Sequence, residues 1–355
     1  MTKRNIIVTG AGAPGIKGTL FALTHAETGG DFRITGIDIA DDVPGKNLVD
    51  SFYKVPSPED PNYKEAILNI IEKENISLIV PQTTREIAFY SQQKSYFEDR
   101  DIRIMVSSAK SIEISNNKFD TLSTMDGLGF PVSKYFLTKS EDALIQAVKE
   151  LGYPEKPVVI KAPVSNGMRG LRILKAKTWN LERFLQEKPD GVEMTLEDFL
   201  KMINDGDAWP NLLVTEYLPG PEYSVDAFIG KEIQFAIPRL RKKIRSGISF
   251  HNEIVDLPEL VKQTLIAARH MDLNYCIGFQ FKEDINGSLK VLECNPRIQG
   301  TMVASLLSGV NMIAMGAKEA LGEVQTKQPE LTYGAEFIRY WGGIGIDNGN
   351  VKLFI

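Results

Sequence analysis

The stretch Leu-Glu-Cys-Asn-Pro-Arg at residues 292–297 is the most informative part of this chain. Glu293 and Asn295 are two residues apart, so an extended strand would place both side chains on one face. A carboxylate and a carboxamide oxygen side by side form a hard-oxygen site that suits Mg²⁺. Pro296 predicts the end of the strand, and the guanidinium of Arg297 suits a phosphate that the metal also contacts. The alternative is a strand end with a Glu–Arg ion pair, and these residues alone favour neither interpretation.

The composition is that of an ordinary globular protein, and the 355 residues are enough for two or three domains. The net charge of −5 argues against a nucleic-acid-binding protein, which would usually show a basic face. Cys276 and Cys294 lie in apolar runs, so we expect buried thiols rather than a disulfide. The three histidines are far apart in the sequence, and no pattern typical of zinc is present.

No segment is predicted to target or cross a membrane. The first four residues lead directly into a predicted strand, so we expect no signal peptide. Residues 298–317 carry no charge, but they include several polar residues and glycines, which indicates a loop and buried helices rather than a membrane span. We therefore expect a cytoplasmic protein.

The first 110 residues alternate between strands and helices, which predicts a parallel sheet with helices on both faces. This is an α/β class, with a Rossmann-like domain at 1–110. The predicted strands are 5–9, 33–38, 77–80 and 102–106, and the predicted helices are 16–27, 62–74 and 85–97.

The chain after residue 110 changes character. Helices are predicted at 108–115, 117–127, 140–150 and 257–271, with two more within 302–320, and Asn116 or Asn117 is placed to cap the second. Strands are predicted from 132 and at 157–161, 171–175, 212–217, 223–229, 232–237, 275–284 and 288–294. Residues 176–210 have few apolar residues and indicate a helical, surface-exposed insertion. In the tail 326–355, Glu336–Tyr340 is a candidate strand and Gly342-Gly343 a candidate turn.

Lys161 ends the predicted strand VVIK and precedes a loop of small residues. The loop contains Ser165, Asn166, Gly167 and Arg169. A lysine in this position can place its ammonium group on a phosphate while backbone N–H groups line the loop. A polar hairpin would use the same residue types, so both interpretations stay open.

The segment EYLPGPEYSVD at 216–226 is a strand, a hinge interrupted by Pro and Gly, and a second strand. Free backbone groups in such a hinge can pair with the edge of an adenine, and Glu222 can accept hydrogen bonds from ribose hydroxyls. A bulged hairpin with a solvated glutamate explains the same residues equally well.

Four segments in this order resemble the ATP-grasp superfamily: NKFDTL with Lys118, Lys161 with its loop, EYLPGPEYSVD, and Gln280 followed by LECNPR. The pattern is most similar to the large chain of carbamoyl-phosphate synthetase and to related stand-alone ligases, and it covers residues 1–325. The resemblance implies a Rossmann-like domain followed by a two-part ATP-grasp fold. The small (lid) subdomain would be 111–215, and the large subdomain with the metal site would be 216–325.

The resemblance also implies roles for individual residues. Lys118 and Lys161 would contact the α- and β-phosphates of ATP, and the loop 165–170 would cover the β- and γ-phosphates. The hinge Glu216, Tyr217 and Leu218 would bind adenine through its backbone, with Glu222 on the ribose. One or two Mg²⁺ ions, for which Mn²⁺ can substitute, would be held by Gln280, Glu293 and Asn295. Arg297 would stabilise the γ-phosphoryl group during transfer.

Five cations occur within seven residues of this acidic chain: Arg239, Arg241, Lys242, Lys243 and Arg245. A solvated loop is the ordinary explanation of such a run. Similar enzymes bind the carboxylate substrate or the acyl phosphate at this position, so we expect substrate binding, with Arg239 and Arg241 as the main candidates.

Gly10, Gly12 and Gly15 match the dinucleotide fingerprint, with Asp38 at the end of the second strand. An NAD(P)-dependent oxidoreductase is therefore an alternative, and a non-catalytic ATP-binding module is another. The resemblance favours an ATP-dependent ligase that works through an acyl phosphate. Its partners would be small-molecule carboxylate and amine substrates, with no nucleic acid and no membrane, and homodimers are common among similar enzymes. Which acid and which nucleophile are joined stays open.

Overall fold

The structure is a computed structural model that describes residues 3–30, 32–165, 167–189, 191–340, 342–347 and 350–354. Three sheets of five, five and six strands form its framework, with a separate two-stranded hairpin near the C-terminus. None of the helices in the described ranges has both the length and the apolar character that a bilayer-spanning segment requires.

The first sheet is parallel, with the strand order β3-β2-β1-β4-β5. On β1, Ile6 and Val8 pack into one hydrophobic cluster and Ile7 into another, so both faces of the sheet are covered by helices, as predicted. Strand β3 was not predicted, and the predicted helix 85–97 is two helices. The elements are β1 (Arg4–Val8), α1 (Ile16–Thr24), β2 (Phe32–Asp38), β3 (Ser51–Lys54), α2 (Tyr63–Glu74), β4 (Ile76–Val80), α3 (Thr84–Gln92), α4 (Lys94–Glu98) and β5 (Arg103–Ile104).

The second sheet has the order β6-β10-β7-β8-β9. Asn117 is the residue that caps α6, since its side chain accepts a hydrogen bond from the Phe119 N–H at 3.0 Å. The segment 176–210 is only partly exposed, because β9 extends the sheet and Phe199 of α9 is buried. The elements are α5 (Ala109–Asn116), α6 (Lys118–Gly127), β6 (Tyr135–Thr138), α7 (Glu141–Glu150), β7 (Val158–Lys161), β8 (Leu171–Leu174), α8 (Leu181–Gln186), β9 (Glu193–Met194), α9 (Leu196–Asn204) and β10 (Leu212–Glu216).

The third sheet is antiparallel, with the order β15-β14-β11-β12-β13-β16. Its elements are β11 (Glu222–Ile229), β12 (Gln234–Arg245), β13 (Ile248–Ile254), α10 (Pro258–His270), β14 (Tyr275–Glu283), β15 (Leu289–Asn295), a 3₁₀ helix (Met302–Ser308), α11 (Met312–Ala320) and β16 (Glu336–Ile338). The hairpin is formed by β17 (Ile344–Asp347) and β18 (Asn350–Phe354).

Three predictions in this region need correction. Strand β12 does not end at 237 but continues to Arg245, so the basic run lies in a strand and not in a loop. Strand β13 was not predicted, and it pairs with β12 around the turn Ser246-Gly247. The first of the two helices predicted within 302–320 is a 3₁₀ helix. The candidate strand in the tail is real, and β16 pairs with β13 and completes the third sheet.

The two faces of the third sheet differ in polarity at the end that carries the candidate site residues. Val225, Phe279 and Cys294 belong to a buried cluster with Leu260 and Ala267 of α10, so this face is apolar. Because side chains alternate along a strand, the residues between them point to the opposite face. The candidate site residues of β11, β14 and β15 lie on that opposite face: Glu222, Gln280, Glu293 and Asn295.

A fully buried ion pair joins β11 to β12 on the polar face. Asp226 accepts two hydrogen bonds from the guanidinium of Arg239, at 2.7 and 2.9 Å, and both side chains are 0% exposed. Arg239 also donates to Thr301 Oγ1 at 2.7 Å. The pair therefore fixes the loop that follows β15 against the sheet.

We expect Asp226→Asn to destabilise the third sheet by roughly 3–5 kcal/mol, because it leaves the charge of Arg239 buried without a partner. Hydrogen exchange of the amides of β11 and β12 measures the local free energy of opening. The matched control is Glu197→Gln, whose ion pair with Lys201 is exposed, and it should change the exchange by less than about 1 kcal/mol. Equal exchange in the two variants would contradict the role of the pair.

Candidate nucleotide site

The residues of the LECNPR segment lie together at the end of β15. Gln280 of β14 is the Cα partner of Glu293, and Gly278 is the partner of Asn295. Asn295 Nδ2 donates to Glu293 Oε1 at 3.0 Å, so these two side chains share a face, as the spacing predicts. Arg297 donates to Asn295 Oδ1 at 3.3 Å and to the carbonyl of Ile298 at 3.0 Å. An acid, two amides and a guanidinium thus occupy adjacent positions.

Lys118 connects the start of α6 to both the glycine-containing loop and the third sheet. Its ammonium donates to the carbonyl of Ser165 at 2.8 Å and to Ser165 Oγ at 3.2 Å. The same ammonium lies 3.5 Å from Glu293 Oε2. Its backbone N–H donates to the carbonyl of Pro163 at 2.8 Å. Residues far apart in sequence therefore meet at the carboxylate of Glu293.

Lys161 ends β7 and is buried, with 7% of its surface exposed. Burial lowers the pKa of Lys161 to about 8, and the nearby Lys118 acts in the same direction. Glu293 and Glu222 oppose this effect because they favour the charged form. Lys161 thus shares the electrostatic environment of the LECNPR segment, although it lies on a different sheet.

Arg241 pairs with Glu222, the predicted ribose ligand, through its Nη1. Nη1 also lies 3.3 Å from Gln280 Oε1, and Nη2 donates to the carbonyl of Gly247 at 2.6 Å. The guanidinium is therefore in direct contact with two predicted ligands of nucleotide and metal. The structure brings Arg241 to the site and keeps it buried there.

Arg239 is placed differently from Arg241. It is completely buried, and its guanidinium is bound to Asp226 and Thr301, so it is part of the protein framework. This geometry supports a structural role rather than the predicted contact with substrate. The difference was not visible in the sequence, where Asp226 was part of a motif but had no assigned partner.

The hinge between β10 and β11 contains the predicted adenine contacts. The N–H of Glu216 donates to the carbonyl of Lys134 at 3.1 Å, and its carboxylate accepts from Lys290 at 2.7 Å. The N–H of Leu218 has no backbone hydrogen-bond partner among the residues that the structure describes. It is therefore the better candidate to donate a hydrogen bond to a ring nitrogen of adenine. Tyr217, between them, lies near Lys282, whose ammonium is 5.7 Å from the ring centroid.

The loop 165–170 lies against the turn that joins β12 to β13. Gly167, Met168 and Gly170 all have positive φ values, and a β-carbon at Gly247 would lie 2.9 Å from Met168 Cγ. Arg169 is exposed. Asn166, which was predicted to contact phosphate, lies outside the described residues. The loop thus reaches from the second sheet to the third, as a cover over the site would.

The glycines of the first motif, Gly12 and Gly15, make close contacts within the chain. Asp38 accepts hydrogen bonds from the N–H groups of Gly12 at 2.7 Å and Ala40 at 3.0 Å, so its carboxylate is already engaged. A β-carbon at Gly15 would lie 2.6 Å from the Cα of Gly300, so this glycine admits the loop that carries Arg297. The carboxylate of Asp38 and the N–H of Gly12 are thus engaged within the chain, and the oxidoreductase alternative is not favoured.

The sequence analysis did not identify two residues that lie near the site, Glu86 and Arg339. Glu86 is buried and accepts hydrogen bonds from Thr9 Oγ1 at 2.5 Å and from the Thr83 N–H at 3.1 Å. Burial raises the pKa of Glu86, and its charge acts on Arg297. The capping-box spacing from Thr83 to Glu86 was a readable signal for the helix start. Arg339 donates to the carbonyls of Pro14 at 2.5 Å and Gly300 at 2.7 Å, and no signal in the tail indicated this.

The side-chain oxygens at the end of β15 and on β14 suit a hard divalent cation that also binds phosphate oxygens. Gln280, Glu293 and Asn295 supply one carboxylate and two amides, and no group of three His, Cys, Asp or Glu residues that could hold a metal occurs in the described ranges. Mg²⁺ usually keeps several waters and binds one or two carboxylates together with substrate phosphates. This donor set agrees with that pattern and lacks the soft ligands of a zinc site.

Two family profiles match parts of the chain. Residues 208–339 match the family described as ATP-grasp in the biosynthetic pathway with Ter operon. Residues 6–105 match the PylC-like N-terminal domain. The first match contains the hinge, the polar face of the third sheet and the LECNPR segment.

The curated relatives include carbamoyl phosphate synthase large chains. The one from Clostridium acetobutylicum is 24% identical over 286 residues, which are 77% of this chain and 24% of that protein. The formate-dependent phosphoribosylglycinamide formyltransferase of Wolinella succinogenes is 27% identical over 145 residues, 39% of this chain and 35% of that one. The chain thus spans about a quarter of the length of the synthase relatives.

Solved structures share the fold. The biotin carboxylase domain of the Hydrogenobacter thermophilus 2-oxoglutarate carboxylase, a dimer in complex with MgADP and bicarbonate, superposes with a TM-score of 0.71 at 17% identity. The match covers 95% of this chain and 74% of that one. The Staphylococcus aureus N5-carboxyaminoimidazole synthetase in complex with ADP has a TM-score of 0.69 at 16% identity, over 94% of this chain and 81% of that one.

We expect the affinity for a nucleoside triphosphate to fall as the pH rises above about 8, because Lys161 then loses the charge that attracts phosphate. The fall should approach about tenfold per pH unit. Calorimetric titration of Mg²⁺ and a non-hydrolysable ATP analogue between pH 7 and 9.5 measures it. Lys161→Met should bind more weakly and show no such dependence, and an equal slope in the variant would refute the assignment.

The lowered pKa of Lys161 also makes the stability of the folded chain depend on pH. The pKa of Lys161 is lowered from 10.5 to about 8 in the folded chain, so the unfolded chain binds more protons between these values. The cost of burying the charged lysine is therefore present below pH 8 and decreases as the pH rises from 8 toward 10.5.

Proposed function

We propose that this chain, which belongs to the ATP-grasp superfamily, is an ATP-dependent ligase that phosphorylates the carboxylate of a small-molecule acid and joins the acyl group to an amine or another nucleophile. The observation that carries this proposal is the convergence of Lys118 and Glu293, at 3.5 Å, from opposite sides of the site, beside buried Lys161. Phosphoryl transfer depends on positioning and charge neutralisation, and these residues supply both.

The cations of the site would bind the triphosphate. Lys118 and Lys161 would contact the α- and β-phosphates, and Ser165 and its loop would cover the β- and γ-phosphates. Within the chain, Lys118 is paired with Glu293 and Arg241 with Glu222. Binding of the nucleotide with its metal would exchange these pairs for contacts of Lys118 with phosphate, of Glu293 with the metal and of Glu222 with ribose. Arg241 would then be free to pair with the acid, so no charge is left unpartnered in the buried site.

Gln280, Glu293 and Asn295 are the residues that would hold Mg²⁺, with nucleotide phosphates and water as the other ligands. The ion would neutralise the charge that develops on the phosphate oxygens. Leu218 would bind adenine through its backbone. Arg297 would add a guanidinium on the γ-phosphoryl group, and burial lowers its pKa without removing its charge in the neutral range.

The reaction proceeds in two steps. A carboxylate oxygen of the acid, bound by Arg241, attacks the γ-phosphorus, and the bond to the β-γ bridging oxygen breaks with release of ADP. The nucleophile then attacks the acyl carbon, and inorganic phosphate leaves. The loop 165–170 contacts the turn at Gly247, and its closure would keep water away from the acyl phosphate.

A screen of carboxylic acids against a panel of amines, with Mg·ATP and chromatographic detection of ADP, tests the proposal. We expect ADP release that requires one acid and increases with one amine. The same reactions with NAD(P)⁺ in place of ATP should show no change in absorbance at the reduced-cofactor band. A protein that binds no Mg·ATP would contradict the proposal.

Glu293→Gln should lower the turnover of Mg·ATP by roughly 10²-fold or more, because the metal loses the one carboxylate among its three proposed ligands. The initial rate of ADP release at saturating acid measures the effect. Glu232→Gln is the control, since it makes the same change at an exposed position, and its rate should equal that of the original protein. Full activity of Glu293→Gln would refute the metal role.

A further inference from the structure

The basic run of β12 contributes to a pocket that the candidate site residues do not line. It has a volume of about 200 Å³ and lies between the β12–β13 hairpin and β16. Its lining residues are Lys243, Arg245, Phe250, His251, Ile338 and Arg339. We name it the anion pocket because basic side chains line it.

The anion pocket is strongly positive although the chain has a net charge of −5. Lys243, Arg245 and Arg339 contribute basic side chains, and no acidic residue of the described ranges lines the pocket. Within the described part of the chain, Lys243 and Arg245 form no ion pair, and Arg245 lies 5.0 Å from the ring centroid of Phe250. Such a concentration of unneutralised charge attracts an anion.

Neighbouring charges do not cancel those of the pocket. Glu336 contacts the lining residue His251, and its carboxylate is shared by Lys242 and His251. Lys242 also pairs with Glu253. Lys242 thus forms ion pairs with acidic residues that do not line the pocket, while Lys243 and Arg245 remain available to a ligand.

Arg339 connects the anion pocket to the reaction centre. Two of its nitrogens donate to the carbonyls of Pro14 and Gly300, and Gly300 is in the loop that begins with Arg297. Its Nε is buried and has no hydrogen-bond partner among the described residues. On the other side, Lys243 is two positions along β12 from Arg241. The pocket is therefore connected through Gly300 to the loop of Arg297, and through β12 to Arg241.

We propose that the anion pocket holds a second anionic group of the acid substrate, which is a phosphate or a second carboxylate. This inference rests on the proposed ligase function, because it identifies the substrate class of the same site. The ammonium and guanidinium groups would bind the oxygens of the anion. Phe250 and Ile338 provide an apolar wall for the short carbon chain between the two acidic groups. Arg241 would bind the carboxylate that is phosphorylated.

Calorimetric titration with inorganic phosphate, succinate and acetate tests the inference. The protein is first saturated with Mg²⁺ and a non-hydrolysable ATP analogue, so that the triphosphate subsites are filled. We expect phosphate or succinate to bind at least about tenfold more tightly than acetate. The tighter of the two identifies the anion as phosphate or carboxylate.

The pocket variant Lys243→Ala/Arg245→Ala should weaken this binding by about tenfold or more, since two charge-assisted contacts are lost. The control Lys262→Ala/Lys327→Ala removes two exposed charges elsewhere and should leave it unchanged. Both variants should bind the ATP analogue like the original protein, which also shows that they fold. Equal anion binding in the pocket variant, or no saturable binding to the original protein, would overturn the inference.

The two proposals fail in distinguishable ways. Absence of binding of the ATP analogue refutes the ligase function. In that case, the phosphate titration of the nucleotide-free protein, compared between the original chain and the pocket variant, still reports on the anion pocket alone.

Discussion

The carboxylate of Glu293 is the point on which the candidate site depends. It lies 3.5 Å from Lys118, and its charge favours the protonated form of the buried Lys161 and of Arg297. Cations that are removed from water need such a counter-charge, because an isolated buried charge is costly. One carboxylate thus allows three cations to be kept where a triphosphate would bind, and a metal at the same oxygen would release them to the phosphates.

A second buried charge pair provides the frame for this arrangement. Asp226 and Arg239 join two central strands, and Arg239 extends to Thr301 in the loop that begins at Arg297. The same loop meets the first sheet where Gly15 and Gly300 are in close contact. Arg297 is therefore positioned by contacts from both the first and the third sheets, which suits a group that must be held accurately for catalysis.

The five cations of strand β12 have different partners in the structure. Arg239 is bound to the buried Asp226, Arg241 contacts Glu222 at the candidate nucleotide site, and Lys242 pairs with two glutamates at the surface. The pairing with β13 shifts register after Arg241, so the regular alternation of side chains is interrupted there. Lys243 and Arg245 consequently line a separate pocket. The proposed substrate, an acid with a second anion, would span the distance between these two groups of cations.

The amino-acid sequence was enough to predict the alternation of the first sheet, the shared face of Glu293 and Asn295, and the residue types at the proposed phosphate and metal positions. These features are local, since strand alternation, caps and breakers act within a few residues. Only the folded chain shows which arginine of the basic run is buried with Asp226, that β12 extends through this run, and that Arg339 contacts Pro14. Such outcomes depend on partners that are up to hundreds of residues apart, and no local pattern encodes whether a charged side chain finds its counter-charge.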